Sequence, residues 1–245
     1  GKVDSSDERL GFRYDVAGVS AGVEHRGPGP WLAGATLGYA HASLTQATTG
    51  DKGHVESLQI GAYGGYRDER LHVIAAALFA QNWISSERFT VLSPALASAS
   101  YSGQSYSIGV EAGRKYAVMG AWVQPLASLV FTHLRQGSFR ESGATLLEIA
   151  GDAQSVNALK LSLGARVWRD FELFGAKLTP EVRARWVQDV LNERRVIAGR
   201  FVADASQTAF TVNGAKPTPA AAVFGAGLTL HAGPGFKLAF GYDAE

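Results

Sequence analysis

The chain contains no cysteine, and only 18% of its 245 residues are charged. The absence of cysteine excludes disulfides, thiolate metal sites and cysteine nucleophiles. Average soluble domains carry about 25% charged residues, so this chain has little charge for a surface that faces water. The formal net charge is +1 and the lysines and arginines are scattered, which is unlike the basic patch of a nucleic-acid-binding protein. No nucleic-acid partner is therefore expected.

Long hydrophobic runs are also absent. No stretch of about 18 apolar residues occurs, so the sequence predicts no transmembrane helix. Residues 1–10 are polar and do not resemble a signal peptide. Without such helices, a chain can cross a bilayer only as a closed β-barrel, because the hydrocarbon core satisfies no backbone hydrogen bonds.

Polar and apolar residues alternate with a period of two along most of the chain. In residues 176–188 the polar row is Lys177, Thr179, Glu181, Arg183 and Arg185, and the residues between them are apolar. This pattern predicts β-strands with two different faces. Ten strands are predicted, at 11–25, 31–44, 54–67, 71–85, 104–117, 121–135, 155–169, 175–189, 218–231 and 235–244. Their length suits tilted transmembrane strands of about 9–11 residues better than soluble strands of about 5–6.

The predicted connections alternate between short and long. The short ones are 26–30, 68–70, 118–120, 170–174 and 232–234, and the long ones are 45–53, 86–103, 136–154 and 190–217. Transmembrane barrels have short periplasmic turns and long outer loops, whereas a soluble sandwich has no reason to keep this order. The 190–217 loop has two open interpretations: it folds over the outer mouth, or it is solvated.

The predicted fold is all-β: an antiparallel up-and-down transmembrane β-barrel with apolar rows facing lipid and polar rows facing the lumen. A soluble barrel or sandwich with the polar face in water is the alternative, and strand length and loop order argue against it. The candidate lumen-lining residues are Glu24, Gln59, Glu111, Gln124, Lys160, Arg166, Lys177, Glu181, Arg183 and Arg185. Because an unpaired charge in a narrow lumen is costly, we expect the three glutamates to pair with the lysines and arginines of this set.

No catalytic, cofactor or metal site is predicted. Residues 18–22 match G-x-S-x-G, but a nucleophile elbow requires a strand-to-helix turn, and this match lies inside an alternating strand. The six histidines show no paired-ligand spacing. The sequence therefore indicates barrel wall and rim at these positions, and we expect the chain not to be an enzyme.

Several segments resemble the translocator domain of autotransporters, the type V secretion family. Phe139–Ala144 resembles the family's Phe-x-Glu-x-Gly-Ala segment, which is the most specific local match. The other similar segments are Tyr14–Glu24, Asn82–Val91, Leu163–Arg166, Ala184–Trp186 and Gly241–Asp243. The resemblance covers essentially all 245 residues, although each motif is loose.

The resemblance implies a twelve-stranded barrel of which residues 1–245 supply strands two to eleven, so the first and last strands are expected to be missing. It implies export and surface anchoring of an N-terminal passenger through the pore, in the outer membrane of a Gram-negative cell. The implied partners are the passenger with its linker helix in the lumen, outer-membrane lipid, and the barrel assembly machinery. The barrel assembly machinery recognises an aromatic residue at the end of the family's last strand, whereas residue 245 of this sequence is a glutamate.

Two other functions remain open at the level of the sequence. A general outer-membrane porin or channel would have an unplugged lumen and no passenger. An outer-membrane hydrolase would require serine, histidine or aspartate to converge at one rim, which the spacings do not indicate. Fold analogy alone does not separate these functions.

Overall fold

The computed structural model describes residues 2–3, 11–90, 95–144, 146–173, 176–191, 196–206, 208–213, 219–231 and 237–244. Throughout these ranges the regular structure is β-strand. The strands are β1 (Lys2–Val3), β2 (Phe12–Arg26), β3 (Trp31–Gln46), β4 (Lys52–Arg67), β5 (Leu71–Phe89), β6 (Leu96–Arg114), β7 (Tyr116–Val118), β8 (Ala121–Gln136), β9 (Phe139–Arg140), β10 (Ile149–Gly151), β11 (Gln154–Trp168), β12 (Phe171–Leu173), β13 (Ala176–Asp189), β14 (Val196–Phe201), β15 (Ala209–Asn213), β16 (Ala220–His231) and β17 (Lys237–Ala244).

Thirteen of these strands form one antiparallel sheet in the order β1-β2-β3-β4-β5-β6-β8-β11-β13-β16-β17. The short strands β7 and β12 pair with β8 and β13 and continue β6 and β11 beyond a break. Each of the ten long strands thus pairs with the next long strand along the chain, which is the up-and-down order that the sequence predicts. β1 adds to the free edge of β2 through Lys2 and Val3.

One of the predicted long loops is wrong and a second is shorter than predicted. β5 and β6 stay in register from Leu71 opposite Arg114 to Phe89 opposite Leu96, so most of residues 86–103 is strand. Serine and alanine at 97–100 carry little β signal, but backbone hydrogen bonds sustain a ladder without strong side-chain preference. β3 and β4 pair as far as Thr45 opposite Lys52, so the predicted loop 45–53 is reduced to residues 47–51. The long connections 136–154 and 190–217 hold short strands of their own.

The predicted short turns at 26–30, 68–70 and 118–120 are found at one rim of the sheet. Of the predicted turn 170–174, residues 171–173 form strand β12, and the predicted turn 232–234 lies outside the described residues. The sharpest joins β7 to β8, where Met119 has φ of 48° and Gly120 has φ of 77°. Two successive residues with positive φ make a hairpin turn whose twist matches that of its strands. The connection between β7 and β8 at the short-turn rim is therefore only two residues long.

The outward face of the sheet carries an apolar band. Leu37, Ile60, Ile108, Val182 and Phe224 are each 56–63% exposed. A contiguous exposed apolar surface of this extent is not stable in water and indicates contact with lipid. At the end of the band toward the long loops, each strand changes to a polar outward residue, and the register places these at His41, Glu56, Gln81, Gln104, His133, Asn157 and Gln188.

Aromatic side chains mark the opposite border of the band. Trp31 and Tyr66 lie edge to face on neighbouring strands, with ring centroids 5.4 Å apart. Aromatic girdles at both interfaces are typical of transmembrane barrels. Trp122 does not belong to this girdle, because it shares the face of Gln124 and lines an inner cavity.

The outer loops form a second sheet, with the order β15-β14-β10-β9. It joins the 137–153 connection to the 190–219 connection through β10 and β14, with Ala150 opposite Arg200. Ala97, Ala99 and Ala144, each at most 5% exposed, are buried where the 137–153 connection meets the start of β6. Residues 196–201 and 209–213 of the 190–217 loop form a hairpin that pairs with this neighbouring connection.

Candidate functional site on the inner face

The polar rows of the strands share one face of the sheet, called the inner face below. Arg185 on β13 reaches Glu111 on β6, with 3.5 Å between Nη1 and Oε2. Two strands, β8 and β11, lie between them, a separation of about 14 Å along a flat sheet. Glu24 on β2 similarly accepts a hydrogen bond from Tyr63 on β4, at 3.1 Å. These contacts form because the sheet curls and makes the inner face concave.

Arg183 pairs with two carboxylates of the inner face. Its Nε and Nη2 donate to the two carboxylate oxygens of Asp243, each at 2.7 Å. Its Nη1 lies 3.4 Å from Glu181. Glu181 also lies 3.7 Å from Arg166. The chain of charges therefore runs from β11 across β13 to β17.

A buried amide continues this network toward β5. Gln124 has 0% exposure and accepts a 2.8 Å hydrogen bond from Nε of Arg166. Its amide nitrogen lies 3.2 Å from Nδ1 of His72, a histidine that is 5% exposed. His72 in turn lies 3.6 Å from Glu111. Because a fully buried amide needs partners on both its atoms, Gln124 fixes the positions of Arg166 and His72.

Four of the predicted residues lie outside this network. Glu24 pairs with Arg26 at 2.6 Å rather than with a lysine or arginine of the predicted set. Gln59 donates to Ser57 at 3.4 Å, and Lys177 pairs with Asp170 at the short-turn rim, at 2.9 Å. Lys160 makes no ion pair with any residue that the structure describes. The geometry thus joins Glu111, Gln124, Arg166, Glu181, Arg183 and Arg185 and leaves the others apart.

Two cavities on this side of the inner face are rich in cations. One of about 580 Å³ contains Lys160, Arg166, Arg183 and Arg185 against the carboxylates Glu181 and Asp243. The other, of about 630 Å³ at the short-turn rim, contains Arg67, Lys115, Arg166 and Lys177 against Asp170 and Glu181. The charges of the first cavity come from β11, β13 and β17, so its four cations against two carboxylates give that wall a positive field. Arg67 at the end of β4 and Lys115 after β6 add two cations at the short-turn rim.

The inner face of β2–β4 is different in kind. Apart from Gln59 and Tyr63 on β4, its mid-strand positions are small and uncharged: Gly18, Ser20, Gly22, Gly34, Thr36, Gly38, Ser57 and Gly61. At Gly22 a Cβ would lie 2.7 Å from the carbonyl oxygen of Ala35, so any side chain there would force the strands apart. The inner face therefore has one bare wall and one charged wall.

Sequence reasoning missed Asp243 and His72, which belong to the network, and Tyr63, which contacts Glu24 outside it. Asp243 stands on the polar row of its strand, so its inward position follows from the alternation, but its partner Arg183 does not. His72 and Tyr63 were missed because an aromatic or imidazole ring fits either face of a strand. Only the register shows that these two rings point inward.

No reactive constellation is found among the described residues. The G-x-S-x-G match lies within β2, which has no strand-to-helix turn there. In the described part of the chain no three histidine, aspartate or glutamate side chains are arranged to hold a metal ion. The inner face offers charge, hydrogen-bond donors and space, which suit contact with a polypeptide or an ion.

Comparison with known proteins agrees with this geometry. The family described as autotransporter beta-domain matches residues 1–243. An extracellular serine protease of Serratia marcescens is 22% identical over the whole chain, and the chain spans 23% of that protein. Outer membrane protein A of Rickettsia conorii is 29% identical over 71% of the chain, which corresponds to 9% of that protein.

Solved structures share the fold. The translocator domain of the autotransporter NalP from Neisseria meningitidis has a TM-score of 0.74 at 16% identity, covering 96% of this chain and 77% of that one. The beta domain of the Bordetella autotransporter BrkA has a TM-score of 0.69 at 21% identity, covering 97% of this chain and 86% of that one. The transport unit of AIDA-I from Escherichia coli has a TM-score of 0.59 at 12% identity, covering 96% and 78%.

The fold and the lipid-facing band define an outer-membrane β-barrel protein. The chain belongs to the autotransporter beta-domain family. It is thus an outer-membrane translocator domain of a Gram-negative cell, a transport module. The curated relatives are more than four times its length, so a protease activity is a property of that Serratia protein.

Proposed function

We propose that this chain exports its N-terminal passenger through the barrel and then anchors it, with the linker held against the inner face. The observation that carries the proposal is the division of the inner face into a bare wall on β2–β4 and a cationic wall on β11–β17. A pore for small solutes has no need of a wall of glycines, whereas a polypeptide needs room and a surface of matching charge.

The cationic wall favours a linker with acidic residues on one side. Arg166, Arg183 and Arg185 already share Glu111, Glu181 and Asp243, and Lys160 adds a further cation. Each unpaired cation in a confined lumen is costly. A carboxylate from the linker would offset that cost, while its opposite side packs on the glycines. We therefore propose Lys160 and Arg185 as the first contacts, ahead of Glu24, Gln59 and Lys177.

Insertion and secretion need further partners. We infer that outer-membrane lipid covers the apolar band and that the barrel assembly machinery inserts the sheet, since family members carry no energy source of their own. Nothing in the sequence resembles a phosphate-binding loop. The inner face requires no bond chemistry for export, and the proposed role is that of a pore and an anchor.

Single-channel conductance in planar bilayers tests the proposal. The natural chain is compared with and without the segment that precedes residue 1. A sharp fall in conductance when that segment is present is expected, because the linker fills the lumen. High conductance that does not respond to the segment would favour a general porin.

Charge reversal tests which wall holds the linker. Arg183→Glu with Arg185→Glu should raise the conductance of the linker-containing protein or slow passenger secretion, since both changes repel an acidic linker. The matched control is Arg140→Glu, an exposed arginine of the outer loop that has no ion pair with the described residues. If the double variant and the control behave alike in both assays, the inner face is not the linker surface.

A further inference from the structure

The outward face carries a polar cleft directly above the apolar band. Eight residues line it, among them Ile84 and Tyr101, and six of the eight face outward, two from each of three adjacent strands: His54, Glu56, Trp83, Ser85, Ser100 and Ser102. The register aligns them in two rows, His54 with Ser85 and Ser100, and Glu56 with Trp83 and Ser102. The cleft has a volume of about 590 Å³.

The outward rows below the cleft show at what height of the membrane it lies. The next outward row toward the membrane is Leu58, Gln81 and Gln104, in which Gln104 donates to Gln81 at 3.3 Å. Tyr106 donates to Gln104 at 3.2 Å from the row below. Apolar residues begin at that level, so the cleft lies at the height of the lipid headgroups. It lies toward the long loops, which in transmembrane barrels are on the cell surface.

The chemistry of the cleft is that of a saccharide site. Trp83 is the one large aromatic ring of the two rows, and it is 47% exposed because its neighbours are serines. A pyranose ring packs its C–H face on an indole, and its hydroxyls hydrogen-bond to hydroxyls and carboxylates around the rim. Ser85, Ser100, Ser102 and Glu56 supply those groups around Trp83.

The wall of the cleft toward β3 is held in place. The rings of His41 and His54 stack with centroids 5.9 Å apart. Tyr39 faces outward beside Glu56, one pair along the β3–β4 ladder. A site whose polar groups are fixed before a ligand arrives loses less entropy on binding. A tryptophan that only anchors the protein at the membrane interface would not need polar neighbours held in fixed positions.

We propose that this cleft binds the sugar headgroup of the glycolipid in the outer leaflet, with the acyl chains of the same molecule lying on the apolar band below. The headgroup stacks on Trp83 and is bonded by the three serines and Glu56. The outer leaflet of a Gram-negative cell is built from lipopolysaccharide, so the sugar is presented at the height of the cleft. The site would fix the rotation and depth of the barrel in that leaflet.

Native mass spectrometry of the folded full chain tests this proposal. The probes are rough lipopolysaccharide and phosphatidylglycerol, added separately to the detergent-solubilised protein. We expect Trp83→Ala to weaken lipopolysaccharide binding about three- to tenfold, the loss of one aromatic contact, and to leave phosphatidylglycerol binding unchanged. Trp186→Ala is the matched control, because Trp186 faces outward on β13 and is 44% exposed; it should change neither.

A second variant separates sugar recognition from a hydrophobic contact. Replacing Ser85, Ser100 and Ser102 by alanine leaves Trp83 in place and removes three hydroxyls; lipopolysaccharide binding should again fall. Migration on unheated gels checks that each variant is folded. Equal loss for both lipids on Trp83→Ala would show an ordinary interfacial tryptophan and overturn the proposal, as would unchanged binding in both variants. Core oligosaccharide without acyl chains should bind far more weakly than the intact lipid.

Discussion

Arg88 and Glu141 form a two-point ion pair that fastens the outer loop to the sheet. The guanidinium donates through Nε at 3.0 Å and Nη2 at 2.6 Å, and Nη2 also donates to the carbonyl of Leu147 at 2.8 Å. Glu141 in turn accepts from the backbone N–H of Ile149 at 2.9 Å. This clasp lies on the inner face of the part of β5 that was expected to be loop.

Arg88→Ala should loosen the 137–153 loop. It leaves the Glu141 carboxylate, only 8% exposed, without its cation. Breaking a buried pair costs about 3–5 kcal/mol, and partial exposure of Arg88 reduces this to about 2 kcal/mol. We expect faster proteinase K cleavage within 137–153 and a lower urea midpoint. Arg140→Ala is the control, because Arg140 is exposed on the same loop; equal effects in both variants would contradict the clasp.

The bidentate pair between Arg183 and Asp243 should anchor β17 to the sheet. A double-mutant cycle with Arg183→Ala and Asp243→Ala should give a coupling energy of about 1 kcal/mol, because Asp243 is half exposed and solvent screens the pair. Urea unfolding in detergent measures each corner of the cycle. Lys160→Ala, which removes a cation from the same cavity, should not couple to Asp243→Ala. A coupling near zero for Arg183 would refute the anchor.

The strands and their faces follow from the sequence, but the partners across the inner face do not. Alternation fixes that Arg183, Arg185 and Glu111 share a face. It does not fix that Arg185 meets Glu111 across two intervening strands, because that contact depends on curvature and on the register of three ladders. The expected partner of Glu24 was wrong for a different reason: Arg26, two residues along the same strand and on the same face, forms the pair without any cross-strand contact.

The outer loops show a different limit. Residues 86–89 and 96–103 carry few large apolar side chains, and they form strand because the 137–153 connection packs against their inner side. Ala97 and Ala99 are buried there by a segment some forty residues away in the chain. Tertiary packing overrides local preference in strands more readily than in helices. The resemblance to the autotransporter family singled out Phe139–Ala144. Only the pairing of Ser142 with Ser98 shows that this segment lies against β6.

Gly164 occupies a point of close strand approach. A Cβ there would collide with the carbonyl oxygen of Ala184 and lie 2.8 Å from Cγ of Arg185. We expect Gly164→Ala to destabilise the barrel by about 1–3 kcal/mol, since the β11–β13 ladder must shift. Gly53→Ala is the matched control, because its nearest neighbour would be 3.9 Å away. Gel migration after heating samples to a series of temperatures gives the unfolding temperature of each variant. Similar values would show that the close strand approach at Gly164 does not limit the stability of the barrel.

Asp204 should make the outer hairpin sensitive to acid. Its carboxylate accepts from the hydroxyl of Ser206 at 2.6 Å, from the Ser206 N–H at 2.9 Å and from the Thr208 N–H at 2.9 Å. These bonds, that of the Ser206 hydroxyl first, lower the pKa of Asp204 to about 2. The group lies in the turn between β14 and β15, outside the membrane.

Because the folded pKa of Asp204 lies below the unfolded value of about 3.9, its contribution to stability is complete above pH 4 and is lost as the pH falls toward 2. Hydrogen exchange of residues 202–211, corrected for the intrinsic rate, should therefore show protection that declines over this window. In Asp204→Asn the hydrogen bonds no longer depend on a titrating charge, so that decline should disappear. An identical pH profile in the variant would show that another group controls the hairpin.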